Sequence, residues 1–193
     1  MEIRPLGPGL VEDYLAYFER DAFGGNPDWV GCYCLEAHST LSEAEWDAQP
    51  HAERRAEITA LIAAGRHHGL LAYAHGRPIG WVQAGPLATL ENPDLRAGRE
   101  EAEVAGVGSI TCFNVAAAWR GRGLTGTLLE AACARLAEQG LSVAEGYPWR
   151  SDSPRGSHRN YHGPLRLWLE HGFAASGEVG DTVIVRRTLS RKA

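Results

Sequence analysis

The chain has no run of apolar residues approaching the ~20 that a membrane-spanning helix requires, so no helical membrane span is expected. Residues 1–4 lead into an acidic stretch without an apolar segment, which argues against a secretory leader; the expectation is a soluble, cytoplasmic protein that meets no membrane. Cysteine is scarce too. Cys32, Cys34, Cys112 and Cys133 are too few and too unevenly placed for a disulfide framework, in keeping with a reducing compartment. Nor is there an excess of basic residues: a net charge of −5 lacks the electrostatic footprint of a nucleic-acid binder, and no nucleic-acid partner is expected.

What remains is ordinary globular material, with 44% hydrophobic and 22% charged residues. A length of 193 residues suits one domain, 1–193, large enough to bury roughly 70% of its unfolded surface without disulfide or metal staples. Periodicity and turn residues predict a strand over 2–6 and a helix over 10–23, which Gly24-Gly25-Asn26-Pro27 stops. Ser42 and Glu45 have the form of a capping box, and 53–64 is rich in helix formers. Strands over 70–74 and 78–83 form a hairpin, followed by a solvated, acidic excursion over 91–103. Then come a strand over 107–115, an amphipathic helix over 122–139, a strand over 141–144 and a polar loop over 147–160. A helix opened by Gly163-Pro164 runs to His171, and strands over 173–179 and 182–189 end the chain.

The segment Val115-Ala116-Ala117-Ala118-Trp119-Arg120-Gly121-Arg122-Gly123-Leu124-Thr125-Gly126 is an apolar strand, a glycine-rich turn and the start of an amphipathic helix. Such a turn suits phosphate: glycine lets the backbone approach an anion, and the unpaired N–H groups of a helix's first turn point at it. Read as G-x-G-x-x-G, Gly121, Gly123 and Gly126 match a dinucleotide fingerprint. That reading has defects: Ala116 to Arg120 separate the strand from the turn, and little chain follows Gly126 to build further βαβ units.

Read as Arg-x-x-Gly-x-(Gly/Ala), Arg120-Gly121-Arg122-Gly123-Leu124-Thr125 resembles the acetyl-CoA signature of the GNAT superfamily of N-acetyltransferases. The order of elements and the ending Glu170-His171-Gly172-Phe173 resemble it as well. The resemblance implies an α/β fold with a GNAT-like mixed central sheet of about seven strands flanked by about four helices. It implies acetyl-CoA as co-substrate and a small-molecule, peptide or protein amine as acceptor, with a homodimer left open. By the same likeness, the backbone of Phe113, Asn114 and Val115 pairs with the pantetheine arm. Arg120 and the turn Gly121, Arg122, Gly123, Leu124, Thr125 and Gly126 hold the pyrophosphate.

The sequence departs from the family where many members carry a tyrosine that protonates the leaving thiolate: Trp168 stands there, and an indole cannot serve as that acid. A catalytically inactive acyl-CoA-binding module is therefore the competing reading. Glu145, at the end of the strand beside the signature strand, is the candidate base, and Tyr161 the candidate acid. Cys32-Tyr33-Cys34 with His38 raises a metal site, but the cysteines are closer than the usual zinc spacing and no fourth ligand is visible, so no metal is expected. Trp29, Tyr33 and Trp46 are candidates for an acceptor wall, and His67 and His68 read as solvated side chains at a helix end.

Overall fold

The computed structural model describes residues 1–24, 29–97, 99–150 and 160–190. Residues 151–159 of the expected polar loop, and 25–27 of the expected helix stop, lie outside the described residues. The strands are β1 (Glu2–Pro5), β2 (Gly69–Ala74), β3 (Arg77–Pro86), β4 (Val107–Val115), β5 (Val143–Gly146), β6 (Ala174–Val179) and β7 (Thr182–Thr188). They form one seven-stranded sheet in the order β1-β2-β3-β4-β5-β7-β6. Every neighbouring pair is antiparallel except β4 and β5.

The helices pack on both faces because their apolar residues recur at helical spacing. On α1 (Val11–Arg20), Tyr14, Leu15, Tyr17 and Phe18 make one buried face. It lies with Ile58 and Ile62 of α3 (His51–Ala63) against Tyr73 and Trp81 of the sheet. On the opposite face α6 (Leu124–Glu138) buries Leu124, Leu128, Leu129, Ala132, Cys133 and Leu136 against Val82, Ile110 and Ala144. Large side chains buried this fully contribute about 1.5–3 kcal/mol each. The other helices are short: α2 (Glu43–Ala48), α4 (Pro93–Arg96), α5 (Glu101–Ala105) and α7 (Leu165–Glu170). The expected capping box is formed in full at α2, with Ser42 accepting from the Glu45 N–H and Glu45 accepting from the Ser42 N–H.

Several expectations are corrected. Helix α6 starts at Leu124 rather than Arg122, because Gly123 takes a left-handed φ of 75°. Strand β5 begins two residues later than expected, which puts Glu145 inside the strand and not at its end. The 91–103 excursion holds α4 and most of α5, with Val104 buried. His67 is not solvated: it is buried, with its ring stacked on Trp81 at 5.4 Å.

The feature that positions the site is the single parallel pair. β4 pairs with β5 only from Val107 to Ile110. Past Gly146 the chain stays with the β7 side, where Val183 N–H donates to Pro148 C=O at 2.8 Å and Arg150 N–H to Asp181 C=O at 2.8 Å. Thr111 is an extra residue on β4, since Gln83 faces Cys112 while Ala84 faces Ile110. Such a bulge bends the strand that carries it, here where β4 parts from β5.

Candidate active site

The register of β4 against β3 fixes which backbone groups face the gap. Ala116 N–H donates to Ile79 C=O at 3.1 Å, so alternation turns Asn114 and Cys112 toward β3. Val115 and Phe113 direct their N–H and C=O away from β3, along the edge that β5 leaves. The turn containing Tyr161 and His162 occupies part of that edge: Phe113 N–H donates to Tyr161 C=O at 2.6 Å, and His162 Nδ1–H donates to Thr111 C=O at 2.6 Å. Val115 C=O accepts from Arg120 Nε at 2.9 Å. Phe113 C=O and Val115 N–H remain on this edge without a partner among the described residues.

The edge runs into the glycine turn. Gly121 and Gly123 have φ of 72° and 75°, and a Cβ at either would meet nothing within 4 Å, so conformation and not space demands glycine there. Intrahelical bonding begins with Thr127 N–H on Gly123 C=O, which leaves the N–H groups of Leu124, Thr125 and Gly126 as the open donors of the helix end. The turn is solvent-exposed, with Arg122 over the Trp119 ring at 5.1 Å. Gly126 has a different reason to be glycine: a Cβ there would stand 2.7 Å from His171 Nε2. The donors, the exposed arginines and the open strand edge fit an extended ligand that ends in a diphosphate.

On the other side of the gap stands an aromatic group. The Tyr161 ring lies 5.7 Å from Trp29, 5.4 Å from Trp149 and 4.2 Å from His162. Its hydroxyl donates to Glu36 Oε1 at 3.4 Å, and burial, then the Glu36 charge, push its pKa well above tyrosine's usual range. Glu36 is exposed and sits on a short helical turn after Cys34. Nothing in the sequence distinguishes its carboxylate from the others; only its place opposite Tyr161 does.

Glu145 is buried at 0% exposure and surrounded by donors. Its Oε1 accepts from Arg99 at 2.7 Å and from the Tyr147 hydroxyl at 2.8 Å; its Oε2 accepts from Arg99 at 2.9 Å and Arg186 at 2.6 Å. Trp168 is a core residue whose indole N–H donates to His162 C=O at 2.9 Å while its ring meets Phe113 and Phe173. It therefore supports the Tyr161 turn from below. Tyr33 is buried in the α1 core and Trp46 lies under Arg54 at 4.4 Å, so of the three expected wall aromatics only Trp29 meets Tyr161. The Cys32, Cys34 and His38 side chains do not converge: His38 bonds to His67 at 3.0 Å and Cys34 to Cys112. No group of metal-ligating side chains occurs among the described residues.

A mixed sheet parted at its one parallel pair, beside a helix that begins on left-handed glycines, defines an α/β protein of the acetyltransferase type. A dinucleotide fold needs successive parallel βαβ units, and among the described residues this sheet has one parallel pair. The sequence model of the acetyltransferase (GNAT) family matches residues 33–155, and the chain belongs to that family. No curated protein matches it. Among solved structures it is similar to an N-acetyltransferase from Staphylococcus aureus Mu50, at 14% identity over 98% of both chains and a TM-score of 0.58. It is also similar to ribosomal-protein-alanine N-acetyltransferase from Brucella melitensis, at 16% identity over 98% of this chain and 100% of that one, TM-score 0.57. A third is PaiA N-acetyltransferase from Thermoplasma acidophilum in complex with coenzyme A, at 14% identity over 97% and 99% of the chains, TM-score 0.55. At these identities the likeness is one of fold. Among the described residues no helix is long and apolar enough to cross a membrane.

Proposed function

We propose that the protein is an N-acetyltransferase, a single domain over 1–193, that moves the acetyl group of acetyl-CoA to an amine of a small molecule or peptide by direct attack on the thioester. The observation that carries this is the parting of β4 from β5 after Ile110, which turns the backbone of Phe113 and Val115 toward a gap that ends at the N-terminus of α6. Phe113 C=O and Val115 N–H would pair with the amides of the coenzyme's arm, and the N–H groups of Leu124 to Gly126 would receive its diphosphate. Tyr161 keeps its place meanwhile.

Direct transfer asks little covalent work of a protein: a neutral amine held against the carbonyl, and protons moved at the right atoms. In this reading Glu36 holds the incoming ammonium and receives its proton, helped by the faces of Trp29 and Tyr161, which favour a cation. Tyr161, like any tyrosine, is protonated at neutral pH, and the upward shift keeps it so; it therefore retains a proton for the leaving thiolate. Glu145 has the part of an anchor: its two oxygens hold Arg99, Arg186 and Tyr147 in place, and no lone pair is left facing an acceptor.

A second reading, an acyl-CoA-binding module without turnover, is favoured by the core role of Trp168 where the family's acid often stands. Thermal stability with acetyl-CoA, and thiol release with a panel of amines, separate the two. At ~100 times its Kd a ligand adds about 2.7 kcal/mol, a shift of several degrees. A shift with amine-dependent release supports transfer. A shift with no release for any amine supports the module, and no shift with acetyl-CoA sinks both.

A further inference from the structure

Outside the gap, two thiols meet. Cys34 Sγ and Cys112 Sγ lie 2.9 Å apart although 78 positions separate them in the chain, and both are free cysteines. Cys112 stands on β4 next to the bulged Thr111 and is half-buried; Cys34 is buried in the α1 core. The contact is held at a cost in backbone conformation. Tyr33 and Cys34 both have φ of 48°, in the left-handed region that side-chain-bearing residues rarely enter. Such a conformation persists only where the surroundings impose it. Here Leu35 N–H bonds back to Cys32 C=O at 3.0 Å, and the Tyr14 hydroxyl holds Tyr33 C=O at 2.8 Å. An S–H donor is weak, and a small apolar side chain would fill the same space, so packing alone gives little reason for two thiols pinned together in this way.

We propose that Cys34 and Cys112 form a reversible disulfide when the protein meets a peroxide. Cys112, the less buried of the two residues, is oxidised first: its sulfur takes an oxygen from hydrogen peroxide, giving the sulfenic acid and one water. The Cys34 sulfur then attacks that sulfur, the S–O bond breaks, and the departing hydroxyl takes the Cys34 proton to leave as a second water. Two thiols and one peroxide thus give one disulfide and two waters. The order follows from burial, which raises the Cys34 thiol well above its usual range and makes it a poor first target for peroxide. Contact with Cys112 supplies the proximity that lets it act second. Cys32 is the competing thiol nearby; burial pushes it up to about 12, and its sulfur is held by the Cys34 backbone while its carbonyl accepts from Leu35 N–H. The bond would tie the segment after α1 to β4, closing a loop across 78 positions, where a cross-link constrains the unfolded chain strongly.

The test treats the purified protein with hydrogen peroxide, blocks remaining thiols, and maps peptides without reduction. The expected result is loss of two hydrogen atoms from the intact mass, a Cys34–Cys112 linked peptide, a Tm higher by several degrees, and reversal of all three by dithiothreitol. Cys112→Ser and Cys34→Ala should each abolish the linked peptide, and Cys133→Ala should leave it. If Cys34→Ala does not fold, Cys112→Ser carries that arm. A bond involving Cys32 overturns the proposal, as do further oxidation of Cys112 with Cys34 still alkylatable, and an unmodified protein.

Discussion

Arg99 grips Glu145 with both terminal nitrogens, at 2.7 and 2.9 Å, where the carboxylate has no exposed surface and the arginine side chain has 9%. Removing one partner of a buried pair strands the other's charge. Glu145→Ala should therefore cost about 3–5 kcal/mol. At ~2–4 °C per kcal/mol for a chain of this length, Tm falls by roughly 6–20 °C. Calorimetry reads the loss. An anchor leaves turnover per folded molecule within ~10-fold of wild type, whereas a general base would cost ~10²–10⁴-fold; a drop of the latter size with little change in Tm refutes the anchor.

Gly123 separates conformation from space. A Cβ there meets nothing, yet φ of 75° costs a residue with a side chain about 1–2 kcal/mol. The turn is exposed and can relax when free, so the cost falls on binding. Gly123→Ala should weaken acetyl-CoA about 5–30-fold, and Gly123→Asn less, because asparagine tolerates the left-handed region. Titration calorimetry ranks them; equal affinity for all three forms would mean that this turn does not hold the coenzyme.

Tyr161→Phe removes one hydroxyl and keeps the ring contacts with Trp29 and Trp149. The expected outcome is kcat lower by ~10²–10⁴-fold with KM for acetyl-CoA little changed. Trp168→Tyr should not raise kcat, since that position is wholly buried between Phe113 and Phe173. Unchanged kcat in the first variant, or a gain in the second, would move the acid from Tyr161.

Acid should destabilise the fold earlier than its carboxylates alone would. Burial pushes His38 down to about 4 from 6.5; Glu91 opposes this, while His68 and Arg66 add to it. His67, bonded to both His38 and the Tyr14 hydroxyl, is held well below the usual range by burial and then by its two histidine neighbours. The unfolded chain binds these protons and the folded one does not. Stability is therefore complete above the unfolded value of 6.5 and is lost as pH falls toward 4, His38 alone accounting for on the order of 3 kcal/mol. Tm measured from pH 8 down to 4 should fall across that window, and less steeply in His38→Gln. A flat Tm between pH 6.5 and 5 contradicts this account.

The elements that were legible are those set by neighbours in the chain. The buried stripe of α1, the stripe of α6 and the capping box at Ser42 need only helical spacing and a polar side chain within one turn. The short strand β5 lies two residues further on than its pattern suggests, since four residues give period-two alternation little to act on. His67 was misread because its surroundings are assembled from α1, the turn at His38 and β3, none of them adjacent in sequence. The pairing of Glu145 with Arg99 and Arg186 is hidden in the same way: the three residues lie more than 40 positions apart in the chain.

By itself, the order of residues from Val115 to Gly126 determined a strand, a glycine turn and a helix start, because left-handed φ and open N–H groups are properties of a few consecutive residues. Only the tertiary structure decided that β4 parts from β5 at Ile110, that Glu36 meets Tyr161 across 125 positions, and that Cys34 touches Cys112. Those relations come from how the sheet pairs and which helices cover it. Long-range burial is a sum over the whole chain, and no local pattern carries it.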